Sequence, residues 1–136
     1  MKKRYDPITG KSGAIIEDVM ATPEVDAMPF ELNFRIRLCV EEVVENVVRY
    51  AYDSGSGYMQ VETVLDKGVW RITFEDAGVP FNPLEKDDPD ITLSAEERPI
   101  GGLGIFLCKQ MMDRLEYRYT DGCNILIMEK KIDTQA

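Results

Sequence analysis

Apolar side chains recur at helical spacing around residues 38–52. Because successive residues of an α-helix turn by about 100°, one stripe along this stretch is apolar throughout. That stripe consists of Ile36, Val40, Val43, Val47 and Ala51. The pattern predicts an amphipathic helix that is buried on one side against a sheet.

Two stretches further along the chain show the period of two that is typical of half-buried strands. Residues 58–65 and 69–75 flank the turn sequence Asp66-Lys67-Gly68, so the two strands are predicted to pair as a hairpin. The side chains expected on the buried face are Met59, Val61, Thr63, Leu65, Trp70, Ile72 and Phe74.

The C-terminal part repeats the order of helix and hairpin. Residues 104–115 are predicted to form a second amphipathic helix, and residues 117–120 and 124–132 are predicted to form a closing hairpin around Asp121-Gly122. This order predicts an α+β fold, a two-layer α/β sandwich whose mixed or antiparallel sheet carries helices on one face.

The N-terminal residues 1–11 are basic and contain Pro7 and Gly10. A flexible tail is predicted there, with a short edge strand as the alternative. Residues 12–136 are predicted to form one domain that begins with a helix at Ser12. Within it, residues 84–100 are irregular and highly charged, and a capping-box sequence at residues 94–97 predicts one helical turn. A loop of this length in a compact domain is usually functional or disordered.

Composition limits the classes of function. The 136 residues carry a formal net charge of −9, which argues against a protein that binds duplex DNA or an anionic membrane surface. The chain has no histidine, which excludes a kinase that phosphorylates a histidine of its own chain. It also excludes a hydrolase whose serine depends on a histidine base.

Three cysteines, Cys39, Cys108 and Cys123, are widely spaced and include no C-x-x-C pair. Neither a zinc site nor a disulfide framework is indicated, and each is predicted to be a small core residue. The N-terminus lacks the apolar stretch of a signal peptide, and no segment is long and apolar enough to span a membrane. A cytoplasmic location is therefore expected.

Three short motifs contain the candidate chemistry. Glu42 and Asn46 lie one turn apart on the central helix, where they suit a divalent cation and an attacking hydroxyl; a polar helix face in water is the alternative. Asp76-Ala77-Gly78 follows a predicted strand and is either a plain turn or part of a binding site. Gly101-Gly102-Leu103-Gly104 opens the second helix, where backbone N–H groups suit phosphates, and a hinge is compatible with the same residues.

In this order, the E-x-x-x-N helix, the D-x-G turn and the G-x-G helix start resemble the Bergerat-fold ATPases. That superfamily includes sensor kinases, type II topoisomerases and the ninety-kilodalton heat-shock chaperones. Within it, residues 40–52, the run Phe81-Asn82-Pro83-Leu84 and the run at residues 102–107 are similar to the anti-sigma-factor serine kinases. The resemblance covers about residues 30–132.

The resemblance implies a role for each matching residue. Glu42 would be the general base that activates a hydroxyl or water, and Asn46 would ligate Mg²⁺. Asp76 would accept a hydrogen bond from the adenine amino group of ATP, and Gly78 would let the backbone approach the base.

The resemblance also implies how the phosphates are bound. Gly102, Leu103 and Gly104 would bind them through backbone N–H groups at the helix start. Arg98 would reach the γ-phosphate, with a solvated arginine as the alternative. In the resembled family, the segment that corresponds to about residues 84–102 is a nucleotide lid.

The implied function is that of an ATP-binding serine/threonine protein kinase. It would transfer the γ-phosphate of Mg·ATP to a serine of an antagonist protein and regulate a sigma factor or similar partner. The alternatives are a non-catalytic, ATP-dependent switch that sequesters a partner protein, and a slow ATPase module. The resemblance further implies a homodimer, and neither direct contact with nucleic acid nor a membrane is expected.

Overall fold

Five strands form an antiparallel sheet in this computed structural model, which describes residues 1–52, 57–85 and 103–132. The strands are β1 (Lys2–Tyr5), β2 (Met59–Asp66), β3 (Val69–Asp76), β4 (Arg114–Thr120) and β5 (Cys123–Lys131). They are arranged in the order β1-β2-β3-β5-β4, and every neighbouring pair is antiparallel.

The helices cover one face of this sheet. They are α1 (Ser12–Met20), α2 (Pro23–Asp26), α3 (Phe30–Tyr50) and α4 (Leu103–Met111), and a short 3-10 helix (Pro83–Glu85) follows β3. Their apolar sides and the inward faces of β2, β3 and β5 form one hydrophobic core. The predicted α+β sandwich is confirmed, and of the two kinds of sheet that the sequence allowed, the antiparallel one is present.

The central helix α3 is longer than the 38–52 stretch from which it was predicted. It has 21 residues and begins directly after Pro29, with Arg49 in its last turn, where a cation complements the helix dipole. Its residues Ile36, Val40 and Val43 are buried, as the apolar stripe predicts. This burial fixes which side of α3 faces the sheet and therefore where its polar residues lie.

The hairpin of β2 and β3 forms at the predicted turn. Lys67 and Gly68 have φ angles of 51° and 79°, the left-handed pair that a two-residue hairpin turn requires. Trp70 and Phe74 are buried as predicted, but Leu65 is 41% exposed. Leu65 departs from the expectation because the burial of β2 ends at Thr63, and its neighbour Val64 is exposed as well.

At the N-terminus the structure has the edge strand rather than the predicted tail. Arg4 pairs with Gln60, and Tyr5 pairs with Met59, in the register of β1 with β2. Tyr5 and Ile8 are both buried in the core. The sequence conceals this strand because Tyr5 is its only buried residue, and the others are exposed.

The second predicted helix ends earlier than expected. α4 stops at Met111, and β4 begins at Arg114 rather than at Tyr117. β4 is an edge strand with no buried residue, so it lacks the alternation that marks a half-buried strand. The predicted helical turn at residues 94–97 and most of the predicted lid lie outside the described residues. Among the helices that are described, none has the length and apolar character needed to cross a membrane.

Candidate functional site

The carboxylate of Asp76 is the buried polar centre of the site. Asp76 is the last residue of β3 and is only 5% exposed. Its Oδ1 accepts hydrogen bonds from the backbone N–H of Gly78 at 2.9 Å and from the side-chain amide of Asn124 at 3.0 Å. Burial raises the pKa of the Asp76 carboxyl, and these two hydrogen bonds oppose the rise. Both contacts use the same oxygen, so neither of them occupies Oδ2 of the carboxylate.

Asn124 holds the chain that leaves β3. The register of β3 with β5 places Asn124 directly opposite Asp76. Its Nδ2 also donates to the carbonyl oxygen of Val79 at 2.8 Å, and its Oδ1 accepts from the backbone N–H of Phe81 at 3.0 Å. The hydroxyl of Tyr117 donates to the same Oδ1. One buried amide thereby positions both the carboxylate and the loop beside it.

Gly78 lies against the C-terminal end of α3. A Cβ at this position would lie 2.2 Å from the carbonyl oxygen of Ala51, to which Val79 N donates at 2.9 Å. The glycine is therefore required by the close contact between the loop after β3 and the helix. Its predicted approach to a nucleotide base stays a prediction, because packing alone accounts for a glycine here.

Glu42 and Asn46 lie together beside the start of α4. Asn46 Nδ2 is 3.4 Å from Glu42 Oε1, which places the two side chains on one face, as their spacing predicts. A Cβ on Gly104 would lie 2.5 Å from Glu42 Cδ. The fold thus brings the carboxylate of the E-x-x-x-N motif into contact with the glycine-opened helix that follows it by more than fifty residues in the sequence.

A pocket connects Asp76 with Asn46. It contains about 490 Å³ of space between the protein atoms, its open side included. Its apolar lining is formed by Val43, Val47, Ala51, Phe74, Val79, Phe81, Pro83, Ile105 and Leu126. Asn46, Asp76 and Asn124 supply polar groups to the same walls. A mostly apolar pocket with a few converging polar groups is the usual form of a small-molecule site.

Of the predicted motif residues, Asn46 and Asp76 line this pocket. Gly104 directly precedes Ile105, which also lines it, and Gly104 contacts the Glu42 side chain. Leu103 begins α4, whereas Arg98 and Gly102 lie outside the described residues. In the described ranges, no cluster of three or more metal-ligating side chains is present. A Mg²⁺ ion that completes its shell with phosphate oxygens and water needs no such cluster, because one protein oxygen suffices.

Asn124 and Tyr117 line the candidate site, although no motif in the sequence marks them. Both lie in the closing hairpin, which was predicted only as structure. One signal was present in the pattern of β5, where Asn124 shares the inward register with Leu126 and Met128. A polar residue at an inward-facing strand position must find hydrogen-bond partners when it is buried, so it indicates a site or a structural network.

Comparisons with known proteins agree on one family. A family model described as a histidine kinase-like ATPase domain matches residues 13–130. The chain is 27% identical over 110 residues to serine-protein kinase RsbW of Listeria monocytogenes, a match that covers 74% of this chain and 70% of the relative. It is 25% identical over 104 residues to serine/threonine-protein kinase BtrW of Bordetella bronchiseptica, covering 76% of this chain and 73% of the relative.

A solved structure is similar in fold. The Acinetobacter baumannii histidine kinase AdeS superposes with a TM-score of 0.53 at 15% sequence identity. The match covers 98% of this chain and 68% of that one. At this level of identity the likeness concerns the fold alone.

Proposed function

This chain belongs to the histidine kinase-like ATPase family, and from that premise we propose that it is an ATP-dependent serine/threonine protein kinase. The family predicted from the sequence is thereby confirmed. The proposed reaction transfers the γ-phosphate of Mg·ATP to a serine of an antagonist protein, and the proposed consequence is the regulation of a sigma factor or a similar partner. The names of the relatives, serine-protein kinase RsbW and serine/threonine-protein kinase BtrW, support this choice of activity.

The buried carboxylate of Asp76 in its apolar pocket is the observation that carries the proposal. An adenine presents an amino group, which is a donor, beside a ring nitrogen, which is an acceptor. Asp76 offers an acceptor at the pocket wall, and Asn124 and Gly78 hold that carboxylate through its other oxygen. The arrangement suits an adenine better than a guanine, because guanine presents a carbonyl oxygen where adenine has the amino group.

The residues at the open side of the pocket fit the phosphates and a magnesium ion. Asn46 would ligate Mg²⁺ through its side-chain oxygen, since its contact with Glu42 uses the nitrogen. Glu42 would act as the general base for the acceptor hydroxyl. Bound Mg²⁺ would supply charge stabilisation for the transferring phosphoryl group.

Gly104 would contribute by its backbone alone. Its lack of a side chain leaves the space that the Glu42 carboxylate fills at the start of α4. A helix start also carries partial positive charge, which favours phosphate oxygens. The proposed roles of Gly102, Leu103 and Arg98 follow from the family resemblance.

The proposal is tested by a phosphotransfer assay with native extract as the source of the acceptor. The purified protein is incubated with Mg·ATP labelled at the γ-phosphate, and labelled proteins are mapped to the phosphorylated residue. The expected result is phosphoserine on one small protein, abolished by Glu42→Ala. ATP binding without transfer to any protein would contradict the kinase and would leave a nucleotide-dependent binding switch as the function.

A further inference from the structure

The end of α3 is attached to the turn that follows β3. The backbone N–H of Val79 donates to the carbonyl oxygen of Ala51 at 2.9 Å. The backbone N–H of Ala77 donates to the side-chain hydroxyl of Tyr52 at 2.8 Å. Ala51 and Tyr52 directly follow the last helical residue of α3. These two hydrogen bonds therefore connect the helix to the turn at two neighbouring points.

The Tyr52 hydroxyl makes a second hydrogen bond. It donates to the carbonyl oxygen of Tyr58 at 2.6 Å, directly before β2 begins at Met59. One oxygen atom thus joins three segments, which are the end of α3, the start of β2 and the turn after β3. Burial raises the pKa of Tyr52, so at neutral pH the hydroxyl keeps the proton that it donates to Tyr58.

The aromatic ring of Tyr52 is held by packing as well. It lies against the hydrophobic core, and a Cβ at Gly57 would lie 2.3 Å from the Cε1 and Cζ atoms of the ring. The absence of a side chain at Gly57 therefore leaves the space that the ring fills. Because the ring packs independently of its hydroxyl, a substitution by phenylalanine removes the two hydrogen bonds and keeps the packing.

Every backbone N–H group of the turn has an acceptor. The donors are the N–H groups of Ala77, Gly78, Val79 and Phe81, since Pro80 has none. In the same order, their acceptors are the Tyr52 hydroxyl, Asp76 Oδ1, the Ala51 carbonyl oxygen and Asn124 Oδ1. Two of these acceptors belong to the polar centre of the candidate site, and one is a backbone atom. The Tyr52 hydroxyl is therefore the acceptor outside that centre that a side-chain substitution can remove.

We propose that Tyr52 is a positioning residue that fixes the spacing between Asp76 and Asn46. Asn46 lies on α3, and Asp76 begins the turn that the Tyr52 hydroxyl attaches to the end of that helix. In the proposed function one nucleotide reaches both residues, with its base at Asp76 and with its phosphates, through Mg²⁺, at Asn46. A site that is already held at the spacing of its ligand binds more tightly, because no binding energy is used to order it. This role rests on the proposed binding of ATP and not on phosphotransfer.

Amide hydrogen exchange, measured by NMR without nucleotide, tests whether the hydroxyl holds the turn. In Tyr52→Phe the Ala77 N–H loses its acceptor, so its exchange should be faster than in the wild type by a factor on the order of 3 to 10. Tyr58→Phe is the matched control, because the Tyr58 hydroxyl donates to Glu75 on the other face of the sheet. It should leave the exchange of Ala77 unchanged. Equal exchange of Ala77 in the wild type and in Tyr52→Phe would overturn the proposal.

Titrations with two ligands test the spacing. Mg·ATP reaches both Asp76 and Asn46, so its Kd should rise by a factor on the order of 10 in Tyr52→Phe. Adenosine has the same base and no phosphates, so it does not depend on the spacing, and its Kd should change by less than about twofold. Tyr58→Phe should bind both ligands like the wild type. Equal losses for the two ligands, or no loss for Mg·ATP, would show that Tyr52 does not set the spacing.

Steady-state kinetics separate this role from general damage to the fold. Once ATP has bound to Tyr52→Phe, it has already brought the turn and α3 to the required spacing. The KM for ATP should therefore rise by the same factor as the Kd of Mg·ATP, while kcat stays within about twofold of the wild type. A variant that is only less completely folded would show a lower kcat with an unchanged KM, and that result would overturn the proposal.

The proposed kinase and the role of Tyr52 can fail separately. If the wild type binds Mg·ATP but transfers no phosphate, the proposed kinase is wrong. The exchange of Ala77 and the two titrations then still decide whether Tyr52 sets the spacing. If the wild type transfers phosphate and Tyr52→Phe binds Mg·ATP equally well, the kinase is retained and the role of Tyr52 is overturned.

Discussion

Asn124 on β5 donates a hydrogen bond from its side-chain amide to Asp76 Oδ1 on β3, across 3.0 Å. The register of the two strands places these residues opposite each other. Because both are buried, neither can exchange its partner for bulk water without opening the sheet. The acceptor at the pocket wall is therefore oriented by the central strands of the fold.

Replacing Asp76 by Asn is predicted to remove the preference for ATP. The new side chain can keep its oxygen towards Gly78 and Asn124, which both donate to Oδ1. Its NH₂ group then faces the adenine amino group, so a donor meets a donor. Saturating Mg·ATP, at about 100 times its Kd, should stabilise the wild type by about 2.7 kcal/mol. Most of that gain should be absent in Asp76→Asn when thermal unfolding is measured.

Glu75→Gln is the matched control for this substitution. Glu75 is adjacent in the sequence, but its side chain faces the other side of the sheet, where Tyr58 donates to it at 2.8 Å. Like Asp76→Asn, the substitution Glu75→Gln removes one negative charge, but it should leave the stabilisation by ATP intact. GTP should stabilise the wild type much less than ATP does, and equal effects of the two nucleotides would refute the role of Asp76.

Replacing Asn124 by Ala is predicted to weaken both the fold and the site. The variant loses the hydrogen bonds to Asp76 and Val79 and the one that the Phe81 N–H donates to Oδ1. A hydrogen bond contributes about 0.5–1.5 kcal/mol, so urea unfolding should show a loss of at least about 1 kcal/mol. Affinity for Mg·ATP, measured by titration, should fall as well.

Tyr117→Phe provides the comparison for Asn124→Ala. It removes only the hydroxyl that donates to Asn124 Oδ1, and Phe81 N still donates to the same oxygen. The loss of stability should be about 1 kcal/mol, and affinity for ATP should change little. If Tyr117→Phe were as damaging as Asn124→Ala, the amide would not be the organising group of the site.

Elements with strong periodicity were predictable from the sequence, and edge elements were not. The stripe that includes Val40 and Val43 identified α3, and the alternation through Trp70 and Phe74 identified β3. β1 has only Tyr5 on the buried side and β4 has no buried residue, so hydrophobic alternation does not mark them. Edge strands are held by backbone pairing to one neighbour, and a sequence pattern records that pairing poorly.

The candidate site was predictable where its residues share one helix or one turn. Glu42 and Asn46 are joined by helical spacing, so their contact followed from the sequence. The contact of Glu42 with Gly104 and the bond of Asn124 to Asp76 join distant segments. Such contacts depend on sheet register and helix packing, which local patterns do not determine.

Asp18 is predicted to make the stability of the N-terminal strand depend on pH. Its carboxylate accepts hydrogen bonds from Lys3 Nζ at 2.8 Å and from the Tyr5 hydroxyl at 2.7 Å, and these hold the pKa of Asp18 below its ordinary value of 3.8. Because this pKa is lowered, the contribution of Asp18 to the free energy of unfolding is complete above pH 3.8. It is lost as the pH falls through the pKa of Asp18 in the folded state.

The measurement compares wild type with Asp18→Asn in urea at pH 7 and near pH 3. The ion pair of Lys3 and Asp18 is partly exposed, so Asp18→Asn should be less stable than the wild type by at most about 1 kcal/mol at pH 7. This difference in stability should shrink near pH 3. Asp66→Asn, at the exposed turn end of β2, should show a smaller difference at pH 7. If the difference in stability grew on acidification, the pKa of Asp18 would not be lowered by folding, and this prediction would be wrong.

Alanine substitutions at Glu42 and Asn46 are predicted to affect phosphotransfer and nucleotide binding differently. Glu42→Ala should keep affinity for Mg·ATP and lose phosphotransfer by a factor on the order of 10² to 10⁴, because a base acts on the acceptor. Asn46→Ala should weaken binding of Mg·ATP itself, because a metal ligand is lost. Titrations with ATP in the presence and absence of magnesium measure the affinity of each variant, and a phosphotransfer assay measures its activity.

Glu45→Ala is the control on the same helix. Glu45 lies 3.9 Å from Arg49 in an exposed ion pair, and its loss removes the same charge as the loss of Glu42. The Glu45→Ala variant should bind Mg·ATP and transfer phosphate like the wild type. If Glu42→Ala and Asn46→Ala also behave like the wild type, the two residues belong to a polar helix face turned to water.

Two glycines at the site are predicted to respond differently to a methyl group. In Gly78→Ala the Cβ meets the backbone carbonyl of Ala51 at 2.2 Å, and neither backbone segment can move without disturbing the end of α3. In Gly104→Ala the Cβ meets the end of the Glu42 side chain, which can rotate away. Gly78→Ala should therefore lose about 1–3 kcal/mol or more of stability, and Gly104→Ala should lose little.

Gly104→Ala, which should lose little stability, is predicted to lose phosphotransfer activity. Gly104→Ala folds but displaces the Glu42 carboxylate, so phosphotransfer should fall towards the level of Glu42→Ala. Gly13→Ala, in α1 with open space around its Cβ, is the control and should raise the stability by about 0.5–1 kcal/mol without affecting activity. Urea unfolding and the phosphotransfer assay on all three variants check these outcomes. Full activity of a folded Gly104→Ala variant would mean that Glu42 does not need its place beside α4, and the carboxylate would lose its assignment as the base.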